Sequence, residues 1–225
     1  STRFGKILPA LEGCFDYIEK NRTRNCGLYW FEDPGSSGMD NAPRGGYHSL
    51  GLNGSDLCHI DLACQQALSA MCIANMYEVL QNAEKTVFYR AEHQRICELI
   101  NRYHWSEKAQ FYFDFFIRSN PDDKVKFLNS KTVASAWTLL CGAAQGERKE
   151  QMLRHLFNPN EFYTKVPFAS LSKDDPNYDC DGGYWLGSVW APTNYAAIRG
   201  IHACGRPELA REAAIRLDDD FGLVV

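Results

Sequence analysis

Asp40 and Arg44 stand four residues apart in the stretch Gly35-Ser-Ser-Gly-Met-Asp-Asn-Ala-Pro-Arg44. That stretch is too rich in Gly, Ser, Asn and Pro to be a helix. A carboxyl and a guanidinium on flexible backbone can move a proton and hold oxygen atoms. The plainer reading of Asp-Asn-Ala-Pro is a turn in which the Asp bonds its own backbone. The functional reading makes Asp40 a general acid, its carboxyl kept protonated by desolvation against the nearby Trp30 and Phe31. Arg44 beside Asp40 would oppose that, so its expected partners are substrate hydroxyls or another carboxylate. Trp30, Asn41 and Arg44 are this loop's candidates for binding substrate.

A second cluster runs from Tyr184 to Tyr195, with Trp185, Trp190 and Asn194 between them. Core filling would explain buried Trp residues. These aromatics, however, bunch in a Gly-containing loop instead of spacing along one helix face. Flat rings beside short polar side chains suit sugars, whose C–H faces stack and whose hydroxyls need partners. Tyr184, Trp185, Trp190 and Asn194 are therefore substrate-binding candidates. Just upstream, Asn177, Asp179, Asp181 and Gly182 match the first half of a calcium loop, but its twelfth position is Ser188 instead of Glu. An EF-hand is not expected; a lone structural calcium is the alternative to having no cofactor. The six His have no metal-ligand spacing and read as surface or structural. Neither a phosphate-binding Gly loop nor a nucleophile elbow is present.

The elements that must position these loops are helical. Phe4 to Asn21 carries Ile7, Leu8, Leu11, Phe15 and Ile18 at helical spacing. Cys58 to Leu80 is apolar around most of its circumference and reads as an inner helix. Asp56 is its expected N-cap, and Asp61 lies in its first turn. Lys85 to Trp105 has a polar face (Arg90, Glu92, Arg95, Glu98, Arg102) and reads as its outer partner. An aromatic run to Arg118 suggests a turn and a short strand pair. Lys131 to Ala144 is a second apolar helix, and Glu147 to Phe157 its charged partner. After an irregular stretch, Pro192 opens a third apolar helix ending near Cys204, followed by an amphipathic helix over Arg206 to Leu217. Inner and outer helices alternating in this way suggest an all-α toroid with long loops on one face. About seven helices are expected, against twelve in a closed ring of six hairpins. Residues 1–225 read as one domain, a part of such a ring.

Composition narrows the function classes. Hydrophobic residues at 45% and charged residues at 23% are ordinary for a globular domain. A net charge of -4 gives no reason to expect nucleic acid. No apolar run approaches the ~20 residues that span a bilayer. The nine cysteines are odd in number and lack a CxxC, so a reducing compartment, the cytoplasm, is the simpler reading. Cys72 and Cys141 read as small buried hydrophobes. Asn21-Arg22-Thr23 and Asn53-Gly54-Ser55 are glycosylation sequons that matter only in a secreted eukaryotic protein.

The chain resembles the catalytic domain of glycoside hydrolase family 63, which includes processing α-glucosidases, bacterial α-glycosidases and mannosylglycerate hydrolases. Ser37-Gly-Met-Asp-Asn-Ala-Pro-Arg44 is similar to the family's SG-M/L-DN-S/A-PR loop. Gly183-Tyr-Trp-Leu-Gly-Ser-Val-Trp190 is similar to its YWRGPxW segment. The resemblance implies an (α/α)6 toroid that hydrolyses an α-glucoside or related α-glycoside with inversion. Asp40 would protonate the leaving oxygen. The family's general base is a Glu after the YWRGPxW segment and its following helix pair, which places it beyond Val225. Glu208 and Glu212, on an outer amphipathic helix, are poor candidates. Leu186 replaces the family's usual Arg, and Ser188 its Pro. The expected partner is an oligosaccharide or small glycoside, with no nucleic acid and no membrane. Two other readings stand beside hydrolysis: a non-catalytic carbohydrate-binding or scaffold toroid, and an inverting phosphorylase in which phosphate is the nucleophile.

Overall fold

The computed structural model describes residues 3–32, 34–44, 57–116 and 126–221. The described residues form α1 (Arg3–Asn21), β1 (Leu57–Cys58), α2 (Ile60–Val79), α3 (Ala83–Tyr103), β2 (Trp105–Ser106), β3 (Phe111–Tyr112), β4 (Phe115–Phe116), β5 (Lys126–Phe127), α4 (Trp137–Leu140), α5 (Gly146–Leu156), α6 (Ala191–Ala203) and α7 (Pro207–Phe221). Asp56, His48 and the Asn53 sequon lie outside the described residues.

Helices α2, α4 and α6 form the inner layer, each packing on the next, with α3 and α7 packed outside α2 and α6. This alternation is the (α/α)6 pattern, with seven helices among the described residues. Burial follows the sequence logic. In α2, Ile60 to Cys64 are all buried, so its first turns are enclosed on every side. In α3, Thr86, Tyr89, Ile96, Cys97 and Ile100 make one buried stripe at helical spacing, the signature of an outer helix. Asn82 caps α3, its side chain accepting the Lys85 N–H at 3.1 Å. The inner helices come very close at Gly200 of α6. A Cβ there would lie 2.9 Å from the Leu140 nitrogen and 3.1 Å from the Leu139 Cβ. Only a residue without a side chain permits that approach.

Three expectations need correction. Cys72 is exposed while Cys141 is buried, because Cys72 lies on the face of α2 opposite the buried Ala70 and Ala74, two residues away on either side. In α1, Leu8 and Phe15 are buried but Ile7 and Leu11 are more than a third exposed; α1 has α2 as its packing partner, so its buried stripe is narrow. The apolar stretch from Lys131 is a 3-10 turn, Val133–Ala136, leading into a single turn of α4. Gly142, at φ 77, closes it.

The aromatic run after α3 makes a β2–β3 hairpin pairing Trp105 with Tyr112. It also supplies the centre of a three-stranded antiparallel sheet, β1-β4-β5, in which Cys58 faces Phe115 and Phe115 faces Phe127. This sheet carries the chain into the first turn of α2, beneath the Asp40 loop.

Candidate active site

The Asp40 loop is a string of tight turns. Met39 N–H bonds Ser37 Oγ (3.1 Å), Ala42 N–H bonds Met39 O (3.1 Å) and Arg44 N–H bonds Ala42 O (2.7 Å). Gly38, at φ 75, supplies the left-handed step into it. Met39, Ala42 and Arg44 point into the protein and are buried, whereas Asp40 and Asn41 are exposed. The apolar residues anchor the loop, and its acid and amide are presented outward.

They are presented to the second cluster. Asn41 donates from Nδ2 to Gly183 O and accepts the Trp185 N–H at Oδ1, both at 2.9 Å. The Tyr184 hydroxyl donates to Asp40 Oδ2 at 2.7 Å. One amide and one carboxylate thus clasp two loops that lie more than 140 positions apart. Tyr184 has φ 66 and follows two left-handed glycines, Gly182 and Gly183. A non-glycine residue in that region is strained by about 1–2 kcal/mol. In this conformation the phenol reaches Asp40, and the bond holds the Tyr184 hydroxyl protonated by raising its pKa. Trp185 and Trp190 stack with ring centroids 4.7 Å apart and planes 13° apart. Tyr184 packs edge-on to Trp190 at 5.3 Å, and Trp190 Nε1 donates to Tyr184 O at 3.2 Å. Tyr184 is 47% exposed and Trp185 only 7%. The outward aromatic surface therefore belongs to Tyr184 and Trp190, with Trp185 beneath as their support.

Four expectations for this site take a different form. Asp40 is exposed, not desolvated. Trp30 is covered by guanidinium groups, Arg24 at 4.1 Å and Arg22 at 5.0 Å from its ring centre; its position on the turn after α1 gives it cations as neighbours. Asn194 is fully buried, bracketing Phe168 by accepting its N–H and donating to its carbonyl (3.0 Å), which fixes the entry to α6. Arg44 is 2% exposed and grips two carboxylates. Its Nε and one Nη bond Asp114 at 2.7 and 2.9 Å; its two Nη atoms bond Asp61 at 2.7 and 2.8 Å; a further contact goes to Met39 Sδ at 3.2 Å. Those contacts use all five guanidinium N–H groups. Arg44 therefore meets the carboxylates allowed for it, not substrate hydroxyls.

Sequence reasoning missed Asp114. It lies between β3 and β4, accepts the Ile60 N–H at 2.8 Å and so caps α2 from outside the helix. Burial pushes its pKa up. The charge and hydrogen bonds of Arg44 more than reverse this, with help from His59 and the Ile60 N–H, and hold it below the usual carboxylate value. His59 is buried and its pKa is lowered, mainly by burial. Its Nδ1 accepts the Phe31 N–H at 3.1 Å, which ties the turn after α1 to the same knot. The available signal was one acid within the aromatic run Phe111-Tyr-Phe-Asp-Phe-Phe116: a charge amid aromatics needs a buried partner. Asp61 and Asp114 are thus committed to Arg44, leaving Asp40 as the outward carboxyl of this loop.

The calcium-like segment places oxygen or sulfur atoms of Asp179, Cys180 and Asp181 within 4.8 Å of one another. Asp181 N–H bonds Asp179 Oδ1 at 2.9 Å, which an Asx turn explains without an ion.

Residues 1–221 match the family model described as the mannosylglycerate hydrolase MGH1-like glycoside hydrolase domain. An uncharacterized protein of Borreliella burgdorferi is 29% identical over 215 residues, 95% of this chain and 42% of the relative. The mannosyl-oligosaccharide glucosidase of Saccharomyces cerevisiae is 25% identical over 190 residues, 83% of this chain and 22% of the relative. Among solved structures, the GH63 mannosylglycerate hydrolase from Thermus thermophilus in complex with glucose superposes with a TM-score of 0.78 at 18% identity, over 97% of this chain and 59% of that one. The chain spans under half the length of the two curated relatives, 42% and 22%.

Proposed function

We propose a function from the premise that the chain belongs to the mannosylglycerate hydrolase MGH1-like glycoside hydrolase domain family: the protein hydrolyses an α-glycosidic bond with inversion, and Asp40 is its general acid. The observation that carries this reading is the clasp, in which an outward carboxyl on a buried anchor meets Tyr184 at 2.7 Å beside the Tyr184–Trp190 aromatic surface. The sugar ring stacks on that surface, and the leaving oxygen takes its proton from Asp40. Inversion also needs a carboxylate base on the opposite face of the sugar, about 6.5–9.5 Å from the acid so that a water fits between. The base is proposed to be a Glu that the resemblance sets after the Tyr184–Trp190 segment and its following helix pair. The substrate class is an α-glucoside or related glycoside, as a free small molecule or an oligosaccharide end.

The test uses the full-length protein on a panel of α-glucosides, α-mannosides and their glycerate conjugates. Proton NMR of the first product should show the β-anomer. Asp40→Asn should lower kcat by about 10²–10⁴-fold, the range for a lost general acid, while sugar binding persists. Turnover unchanged in Asp40→Asn removes Asp40 from the mechanism. Binding without turnover in the wild type makes the domain a carbohydrate-binding module, and turnover that requires phosphate makes it a phosphorylase.

A further inference from the structure

Outside the clasp, two cysteines meet. Cys26 lies on the turn after α1 and Cys58 on β1, 32 positions later, with their Sγ atoms 3.8 Å apart. A disulfide bond is about 2.05 Å long, so closing it takes a relative movement of about 1.8 Å. The surrounding backbone already holds the two segments together. His59 N–H donates to Tyr29 O at 3.0 Å, and Thr23 bridges to Tyr29 across the turn. The two sulfurs are not equivalent: Cys26 is half-buried and open to a small oxidant, and Cys58 is fully buried behind it.

We propose that Cys26 and Cys58 are a redox pair that forms a reversible disulfide, stapling the turn after α1 to the strand that leads into α2. The chemistry of the two thiols supports the roles. The Cys58 hydrogen bond, opposed by burial and aided by backbone N–H groups and the Arg24 charge, lowers the Cys26 pKa to about 7. The same hydrogen bond and burial push Cys58 well up. At neutral pH Cys26 is substantially thiolate, the reactive form, and Cys58 is the thiol that resolves it. With a peroxide as oxidant, the Cys26 thiolate attacks one peroxide oxygen, the O–O bond breaks, and Cys26 sulfenic acid forms as hydroxide leaves. The Cys58 sulfur then attacks the Cys26 sulfur. The S–O bond breaks, the S–S bond forms, and the Cys58 proton leaves with the oxygen as water. Two thiols and one hydrogen peroxide give one disulfide and two waters, with two electrons passing from the pair to the peroxide. The disulfide would tighten the elements beneath the Asp40 loop, because β1 runs directly into His59 and the Asp114-capped end of α2.

The test takes the full-length protein, reduced with dithiothreitol and then exposed to stoichiometric hydrogen peroxide, with oxidised glutathione in a parallel arm. Expected are the loss of two hydrogen masses, a linked peptide pair containing Cys26 and Cys58, reversal by dithiothreitol, and a Tm higher by about 5–10 °C for closing a loop of this length. Cys26→Ser, at a half-exposed position that leaves the fold intact, should abolish both the linked pair and the Tm rise. Cys58→Ser should leave Cys26 as a sulfenic acid or a glutathione adduct. Cys26 ending as sulfenic acid or a glutathione adduct in the wild type, a link between other cysteines, or a Tm rise that survives in Cys26→Ser each overturns the proposal.

Discussion

Replacing Arg44 should invert the way stability depends on pH. In the wild type its guanidinium makes four hydrogen bonds of 2.7–2.9 Å to two buried carboxylates. A lysine has three donors at one point and cannot span both carboxylates in pairs, so at least one charged hydrogen bond is lost, at about 1.5–3 kcal/mol. Arg44→Met removes the cation and leaves Asp61 and Asp114 buried without it, at about 3–5 kcal/mol. With a urea m-value of about 2 kcal/mol/M, the Met variant should unfold about 2 M earlier at pH 7. The sign with pH separates this cause from simple loss of packing. Wild-type Asp114 has a folded pKa below its unfolded value, so its contribution is present above about pH 4 and is lost as pH falls through the folded value. Without Arg44, burial, the first of the causes acting on Asp114, is opposed only by His59 and the Ile60 N–H, and should raise its folded pKa above the unfolded one. The variant then loses stability as pH rises through about 4 and beyond. Urea unfolding followed by circular dichroism at pH 4, 5.5 and 7 measures this. An Arg44→Lys midpoint equal to wild type, or an Arg44→Met profile parallel to wild type, refutes the reasoning.

Tyr184→Phe should keep the fold, because Tyr184 is exposed, and should lower kcat on the cleaved glycoside about tenfold through loss of the bond to Asp40; steady-state kinetics on the full-length protein measures it. His104 is fully buried, and burial lowers its pKa to about 4 even though Phe113 O accepts its Nδ1–H at 2.7 Å. An unfolded histidine takes its proton near pH 6.5, so the unfolded state binds more protons in between, and stability should fall by about 3 kcal/mol as pH drops from 6.5 to 4. His104→Asn, which retains a donor for Phe113 O, should flatten that slope in a urea titration. Gly200→Ala should lower Tm by several degrees in a thermal scan, because the added methyl meets the Leu140 backbone nitrogen at 2.9 Å.

The legible parts were those that depend on near neighbours in the chain. The apolar run of α2, the polar stripe of α3 and Pro192 at the start of α6 could each be read as helices because periodicity of about 3.6 residues is local. The turn residues of Gly35–Arg44 showed a loop with equal clarity. The Lys131 stretch misled because composition cannot distinguish a long apolar helix from a 3-10 turn and one helical turn. Cys72 misled because apolar neighbours on every side do not report which face of the helix is left uncovered.

Sequence alone determined the helical class, the alternation of inner and outer helices, and the two loops whose residue types suit a sugar. Tertiary structure decided what each side chain does. It clasped Asn41 to Gly183 and Trp185, turned the Tyr184 phenol to Asp40, and buried Arg44 between Asp61 and an Asp114 that sequence reasoning had passed over. The physical reason is that hydrogen bonds and ion pairs are short-range contacts between atoms. Chain order fixes neither which distant segments touch nor which charges lose their water when they do.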